Sequence, residues 1–198
     1  MADAASFFAH ESSYIDAGAH IGNQTRIWHF CHISEHARIG ERCSLGQNVF
    51  VAPRAQLGAG CKVQNNVSIY EGVICEEDVF LGPSMVFTNI NRPRAHISRR
   101  HAYETTYVER GVSIGAHATI VCGIRLGKYC FIAAGAVVRT DVAPYALMAG
   151  VPAQQVGWVS QAGARLYFDD HGMASCPWDQ SRYRLLAEGS VVPEETPT

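Results

Sequence analysis

The chain has 198 residues, of which 47% are hydrophobic and 17% are charged, and its formal net charge is −2. This length suits one domain with a sizeable core. The near-neutral charge argues against nucleic-acid binding, and no apolar run approaches the ~18 residues that a membrane helix needs. We therefore expect a globular protein with neither a nucleic-acid nor a membrane partner.

The N-terminal segment, residues 1–13, reads MADAASFFAHESS. It lacks the basic start and the sustained apolar run of a secretory signal peptide, so we predict a short extension before the first repeat. The chain's cysteines are odd in number and form no C-x-x-C pair. This usage favours the reducing cytoplasm over a disulfide-forming compartment.

From Ile15 to Phe87, an apolar residue occurs at every sixth position. Thirteen consecutive apolar hits would arise by chance with a probability of roughly 10⁻⁴ at this composition. A small or compact residue mostly follows four positions after each hit, and a glycine often follows directly. The phase breaks after Phe87 and resumes at Ile114, Ile120, Leu126, Ile132 and Val138.

A hexad of this kind is one short strand plus a turn, and three hexads close a triangular coil of about 18 residues. The pattern predicts an all-β protein, a parallel β-helix of about six coils over residues 14–158, with aliphatic and small residues facing inward. We expect glycine at the corners, where a positive φ is inexpensive. The register leaves Cys122 and Cys176 open. It predicts buried, inert thiols at Cys31, Cys43, Cys61, Cys75 and Cys130.

Residues 18 apart should stack on neighbouring coils, about 4.8 Å apart. The stretch VQNNVSIYEGV, residues 63–73, then places its polar residues on an outer wall, with Asn66 below Ser84 and Glu71 below Asn89. Two interpretations of Asn65 and Asn66 remain open. They form either a ladder that satisfies the turn backbone or part of a binding pocket.

The repeat is interrupted by residues 88–113, TNINRPRAHISRRHAYETTYVERGVS, which hold five of the fourteen arginines. A loop this long inside a compact domain is usually functional or disordered. The planar fork of arginine donates paired hydrogen bonds to phosphate. We therefore expect the loop to bind an anionic, phosphorylated ligand, with a solvated surface loop as the alternative.

Three histidines, His29, His32 and His36, are close enough in sequence to suggest a zinc site. The hexad register places them at turns or outward positions on different sides of the first coils. We therefore expect no metal.

Over about residues 14–158, the chain resembles one enzyme family. The resemblance is carried by the hexads, by the stretches NNVSIYEGV, DVFLGPSMVFTN and RPRA, and by the later run ERGVSIGAHATIVCGIRLGKYCFIAAGAVV with MAGVPAQQVGW. That family is the nucleotide-sugar N-acetyltransferases of bacterial surface-polysaccharide pathways. The resemblance is strongest to enzymes of O-antigen and lipopolysaccharide biosynthesis that acetylate the 3-amino group of UDP-2-acetamido-3-amino-2,3-dideoxyglucuronic acid. It implies a left-handed β-helix, homotrimers with active sites between subunits, and acetyl-coenzyme A as the acetyl donor.

The resemblance and the expected chemistry suggest roles for individual residues. We hypothesise that Asn89 positions the acceptor amine, with Glu71 as a rival catalytic base. The residues expected to bind the nucleotide sugar are Asn65, Asn66, Tyr70, Ser84, Arg94 and Arg100. Those expected to line the coenzyme A site are Gly115, Ala133, Ala134, Arg139, Val151 and Pro152.

Some features leave alternatives open. Ile90 and Asn91 depart from the family pattern, so another UDP- or dTDP-linked amino sugar is an alternative acceptor. The tail, residues 159–198, resembles a zinc-ribbon hairpin, but Cys176 and His171 are too few for the usual four ligands, and we predict a metal-free, hairpin-like appendage. Serine O-acetylation, a γ-carbonic-anhydrase-like metal protein and a non-catalytic scaffold are the remaining alternatives.

Overall fold

Short strands recur every six residues along most of the structure, a computed structural model that describes residues 7–194. The strands that build the coils are β1 (Phe8–Ala9), β2 (Tyr14–Ile15), β3 (His20–Ile21), β4 (Arg26–Ile27), β5 (His32–Ile33), β6 (Arg38–Ile39), β7 (Ser44–Leu45), β8 (Phe50–Val51), β9 (Gln56–Leu57), β10 (Lys62–Val63), β11 (Ser68–Ile69), β12 (Val73–Cys75), β13 (Phe80–Leu81), β14 (Val86–Phe87), β15 (Thr106–Val108), β16 (Ser113–Ile114), β17 (Thr119–Ile120), β18 (Arg125–Leu126), β19 (Phe131–Ile132) and β20 (Val137–Val138).

These strands stack into three parallel sheets that form the sides of a triangular prism. Sheet A contains every third strand from β1 to β19, sheet B those from β2 to β20, and sheet C those from β3 to β18. The seven strands of sheet B correspond to seven coils, and the first begins at Phe8, inside the segment that the sequence assigns to an N-terminal extension. The all-β fold of stacked parallel coils is confirmed, and it is consistent with the left-handed β-helix of hexapeptide repeats.

The inward positions of the hexads form one continuous core. Ile27, Leu45, Ile69 and Leu81 are fully buried, as the six-residue phase predicts. Burial of each such side chain stabilises the folded state by roughly 1.5–3 kcal/mol. At the N-terminal end, Ile15 and Ile21 are only partly buried, because no coil stacks beyond the first among the described residues.

All seven cysteines are buried, which confirms the five inward assignments and settles the two left open. Burial raises the pKa of Cys75 to about 12 and also raises the pKa of Cys130. The thiols of Cys31 and Cys43 donate to backbone carbonyls 15 residues further along the chain, those of Gly46 at 3.0 Å and Gly58 at 3.1 Å. These cysteines therefore serve as small core residues rather than as nucleophiles.

At the corners of the prism, the role of glycine differs from the one expected from the sequence. The glycines that directly follow the inward aliphatic residue of a hexad, such as Gly22 and Gly82, do not have φ values in the left-handed region, whereas Gly60 and Gly111 at other corners do. Gly40 shows what the first group does instead, because a Cβ there would lie 2.6 Å from the backbone nitrogen of Ala59 on the next coil. The left-handed corner positions mostly carry other residues, many of which tolerate this conformation: Gln24, Phe30, His36, Arg42, Asn48, Arg54, Asn66, Asp78, Ser84, His117 and Tyr129.

The interruption of the repeat is shorter than the sequence indicated. Thr106 and Val108 are fully buried, and β15 pairs in register with β12 on sheet C, so the coil resumes at Thr106 rather than after Ser113. The three strands that follow the interruption, β15 to β17, pair with residues 33 positions earlier, as in Phe80 and Ser113, and the spacing of 18 returns at β18. Residues 88–105, called the insertion below, thus leave the prism at the corner between sheets B and C.

The C-terminal part closes the far end of the prism. It contains β21 (Ala146–Gly150), β22 (Ala153–Val159), β23 (Arg165–Leu166), β24 (Met173–Ser175), β25 (Arg182–Leu185) and β26 (Val191–Pro193). Strands β21 to β23 extend sheet A, and β24 to β26 form a separate antiparallel sheet. This small sheet packs through Tyr183 onto Tyr145, which in turn stacks on Tyr129 at a ring distance of 5.5 Å. Within residues 7–194, the structure contains no helix with the length and hydropathy that a membrane span requires.

Candidate active site

The insertion is tied to the prism at both ends. The backbone nitrogen of Glu104 donates to the carbonyl of Asn89 at 3.0 Å, which joins the end of the insertion to its start. The Thr88 hydroxyl accepts a hydrogen bond from the Cys122 backbone nitrogen at 3.0 Å, and Thr106 donates to the carbonyl of Gly72 at 2.9 Å. These bonds fix Asn89 in a half-buried position at the base of the insertion.

A cavity of about 520 Å³, called the insertion cavity below, lies within the insertion. Asn91 donates from Nδ2 to both carboxylate oxygens of Glu104, at 2.7 and 2.8 Å. The Nε of Arg99 is enclosed, and it has no hydrogen-bond partner in the part of the chain that the structure describes. The lining residues are Ile90, Asn91, Arg92, Arg99, Ala102 and Glu104.

The charged residues of the insertion cavity differ in their surroundings, since Arg92 and Glu104 are exposed whereas the Nε of Arg99 is enclosed. None of the residues Arg92, Arg99 and Glu104 forms an ion pair within residues 7–194. An enclosed guanidinium nitrogen without a partner is costly unless a ligand or water satisfies it. The cavity is therefore suited to a polar, charged ligand.

Glu71 has a partner within its own chain. Its carboxylate accepts a hydrogen bond from the Nε of Arg54 at 3.1 Å, and a second bond from Nη2 completes the ion pair. The hydrogen bond to Glu71 raises the pKa of the Arg54 guanidinium above its usual value. Both bonds go to Oε1 of Glu71, so this oxygen is less available as a base.

Asn65 and Asn66 form a hydrogen-bonded ladder between coils, which is the first of the two interpretations that the sequence left open. Asn65 accepts the backbone N–H of Gln47 through Oδ1 at 2.8 Å, and Asn66 accepts the side-chain amide of Asn48 at 3.1 Å. Ser84 continues the same corner on the next coil, where its nitrogen donates to the carbonyl of Asn65. The side chains of Asn65 and Asn66 thus stabilise the corners of stacked coils. Asn65 also lines a separate cavity of about 350 Å³, and none of the three residues lines the insertion cavity.

Three other predicted sugar-binding residues also lie outside the insertion cavity. Tyr70 is partly exposed and packs edge-on against Phe50 at a ring distance of 6.3 Å. Arg94 and Arg100 are exposed on the insertion, and Arg94 donates to the carbonyl of Pro93. The arginines that line the cavity are instead Arg92 and Arg99.

The predicted coenzyme A residues divide into three groups. Gly115 and Ala134 are in close contact on adjacent coils at the corner between sheets A and B, and a Cβ on Gly115 would lie 2.5 Å from the Ala134 nitrogen. Ala133 precedes Ala134 at this corner and donates to the carbonyl of Met148 at 2.8 Å. Arg139 is exposed one corner further on, after β20. The remaining two, Val151 and Pro152, are exposed at the tip of the hairpin formed by β21 and β22.

The histidines have separate surroundings. His29 stacks on His10 at a ring distance of 3.6 Å, whereas Nε2 of His32 lies 3.0 Å from Oδ2 of Asp16. His36 adopts a left-handed corner conformation against Gly18. Among residues 7–194, no cluster of three or more His, Cys, Asp or Glu side chains is arranged to hold a metal ion.

Glu104 is the residue that sequence reasoning missed. It lies in the arginine-rich stretch, but its acidic side chain did not fit the expected anion site. Its position depends on the return of the chain to Asn89, which only the folded insertion reveals. The sequence nevertheless contains a signal for the end of the insertion. Val108 lies six residues before Ile114, so the second phase of the repeat already begins there.

Family models of hexapeptide repeats match parts of the chain that form its coils. A family model described as bacterial transferase hexapeptide (six repeats) matches residues 18–53 and 105–140. A second model, described as hexapeptide repeat of succinyl-transferase, matches residues 36–71. The matched segments coincide with coils on either side of the insertion.

Its relatives include acetyltransferases. A dTDP-3-amino-3,6-dideoxy-α-D-galactopyranose 3-N-acetyltransferase of Aneurinibacillus thermoaerophilus is 38% identical over 46% of this chain and 45% of its own length. A 2,3,4,5-tetrahydropyridine-2,6-dicarboxylate N-acetyltransferase of Brevibacillus brevis is 48% identical over 27% of this chain and 23% of its own length. The chain thus matches less than half the length of these two relatives.

Among solved structures, a mutant of AntD, an N-acyltransferase from Bacillus cereus in complex with dTDP and coenzyme A, superposes with a TM-score of 0.47. The two chains are 16% identical, and the match covers 78% of this chain and 82% of the other.

Proposed function

We propose that this protein is an acetyl-coenzyme A-dependent N-acetyltransferase of nucleotide-linked amino sugars. The proposed acceptor is the 3-amino group of UDP-2-acetamido-3-amino-2,3-dideoxy-D-glucuronate, in bacterial O-antigen biosynthesis. The observation that carries the proposal is the insertion cavity, which presents unpaired arginines beside Asn89 on a hexapeptide-repeat prism. Arg92 and Arg99 would bind the diphosphate or the sugar carboxylate, with Arg94 and Arg100 at the outer rim.

The positions of the two proposed substrate sites support a shared active site. The insertion leaves the corner between sheets B and C, whereas Gly115 and Ala134 lie at the corner between sheets A and B. The two sites of one chain are therefore separated by the width of sheet B. A homotrimer of parallel prisms would bring the acceptor site of one subunit against the acetyl-coenzyme A site of its neighbour.

The chemistry requires orientation more than a strong base. A neutral amine attacks the thioester carbonyl, the new C–N bond forms, and the C–S bond breaks. The Asn89 side-chain carbonyl would accept an N–H of the amine and aim its lone pair, while a backbone N–H of the coil would polarise the thioester. The departing coenzyme A thiolate collects the proton that the amine gives up, so products are the amide and the free thiol.

Glu71→Gln separates this mechanism from one that uses Glu71 as the base. We expect kcat to stay within about threefold of the parent value, with an unchanged pH–rate profile, because the carboxylate is held by Arg54. Steady-state kinetics between pH 6 and 9 provide the measurement. A loss of roughly 100-fold or more in kcat would assign the proton to Glu71 instead.

The function itself is tested with a panel of nucleotide amino sugars and acetyl-coenzyme A, with the products identified by mass spectrometry. We expect acetylation of the UDP-linked 3-amino-glucuronate above all others. The panel includes dTDP-3-amino-3,6-dideoxygalactose, because the relative with 38% identity carries that name. Preferential acetylation of the dTDP sugar would move the proposal to that substrate, and absence of transfer to every amino sugar would refute it.

A further inference from the structure

We infer that Glu104 is the residue that recognises the amino group of the acceptor. The inference rests on the proposed function and deepens it, because it assigns a cationic subsite within a cavity otherwise matched to anions. Glu104 lines the insertion cavity, and its backbone nitrogen is bonded to Asn89. The carboxylate is thus built into the same base of the insertion as the residue proposed to orient the amine.

The carboxylate of Glu104 is held in place from two sides. The Asn91 amide donates to both of its oxygens, at 2.7 and 2.8 Å. On the other side lies Gly123, where an added Cβ would be only 2.4 Å from Oε2 of Glu104. Gly123 therefore leaves the space that the carboxylate occupies, and the Asn91 amide orients the carboxylate within it.

The remaining hydrogen-bonding capacity of Glu104 has no partner in the described chain. An ionised carboxylate can accept about four hydrogen bonds, and the amide of Asn91 uses one site on each oxygen. Arg92 and Arg99 line the same cavity, yet neither forms an ion pair with Glu104. A cavity with one carboxylate and two guanidinium groups, none of which forms an ion pair within residues 7–194, is complementary to a ligand that carries both an ammonium and an acidic group.

This charge pattern predicts discrimination between an amine and a hydroxyl at the same sugar position. A protonated amine forms a hydrogen bond to Glu104 in which both groups are charged, whereas a hydroxyl donates to the carboxylate without a charge of its own. The bound ammonium releases its proton to the solvent that reaches the exposed Glu104 before it attacks as the neutral amine. The appropriate pair of ligands is UDP-2-acetamido-3-amino-2,3-dideoxyglucuronate and its 3-hydroxy counterpart, UDP-2-acetamido-2-deoxyglucuronate. Both share the nucleotide, the diphosphate and the carboxylate.

The test is the dissociation constant of both ligands for Glu104→Gln, measured by calorimetry without acetyl-coenzyme A. We expect the variant to bind the amino sugar roughly 10-fold or more weakly and the hydroxy sugar within about twofold of the parent protein. Glu104→Asp, which keeps the charge, should recover part of the loss. Glu188→Gln, on the far C-terminal sheet, is the charge-matched control and should change neither constant.

The outcomes separate this assignment from the proposed function. If the parent protein acetylates the amino sugar but Glu104→Gln weakens both ligands equally, or neither, the assignment of Glu104 is overturned while the function stands. If the parent protein binds and acetylates no nucleotide amino sugar, the proposed function fails and the assignment fails with it. Circular dichroism of each variant verifies that the fold is retained.

Discussion

Gly40→Ala is expected to lower the free energy of unfolding by about 3 kcal/mol, although it adds only one methyl group. The new Cβ would lie 2.6 Å from the backbone nitrogen of Ala59 and from the carbonyl carbon of Gly58 on the next coil. Those atoms belong to the stacked backbone and cannot rotate away as a side chain would. Urea unfolding at a fixed protein concentration measures the effect, which corresponds to a fall in Tm of roughly 6–12 °C.

Gly135→Ala is the matched control, because it isolates the cost of a left-handed backbone. Gly135 has a φ of +71°, and a Cβ there would meet nothing within 4 Å. We expect a loss of only about 1 kcal/mol, the ordinary penalty for a side chain in this conformation. Equal losses in the two variants would mean that the corners of this prism need glycine for its conformation and not for the close approach of the coils.

The sequence was sufficient to predict the prism because the core follows one six-residue phase up to Phe87 and a second one from Val108 onwards. Each inward residue has the same neighbours at the same spacing, so a local count of six determines the position of Leu45 as well as that of Leu81. The ends of the stack are less predictable. Phe8 and Ala9 form a strand of the first coil, although the apolar count begins only at Ile15.

The corners show where periodicity is insufficient. Glycine recurs in the sequence at the expected positions, but its spacing cannot distinguish a positive φ from a close backbone approach. Asn66 and Ser84, which the resemblance suggested as residues that bind the nucleotide sugar, occupy left-handed corners of the prism. In both cases the deciding contact is made with the next coil, 18 residues away, and local sequence does not specify it.

The candidate site was predicted as a segment and not as a set of residues. Arginine content and length identified the insertion, since they are properties of the segment as a whole. Which arginines point into a cavity depends on how residues 88–105 fold back on themselves. The bond between Asn89 and Glu104 and the contact between Asn91 and Glu104 are features of that fold, and no repeat encodes them.

Arg99→Ala is expected to raise KM for the UDP-linked amino sugar by roughly 10- to 100-fold, with KM for acetyl-coenzyme A unchanged. The enclosed Nε of Arg99 has no partner within residues 7–194, so an anionic oxygen of the ligand would satisfy it. A hydrogen bond between charged groups contributes about 1.5–3 kcal/mol, which sets the expected range. Initial rates with each substrate varied in turn provide the measurement.

Arg94→Ala tests whether an arginine must line the insertion cavity to affect KM for the nucleotide sugar, or whether any arginine of the insertion does so. Arg94 is exposed and lies outside the insertion cavity, so we expect its KM effect to be about threefold or less. Arg38→Ala, on the outer face of β6, controls for the loss of one positive charge. If Arg94→Ala had the larger effect, the phosphorylated ligand would bind along the rim of the insertion and not within the cavity. Water would then satisfy the enclosed Nε of Arg99 in place of the ligand, because such a nitrogen costs stability when it has no partner.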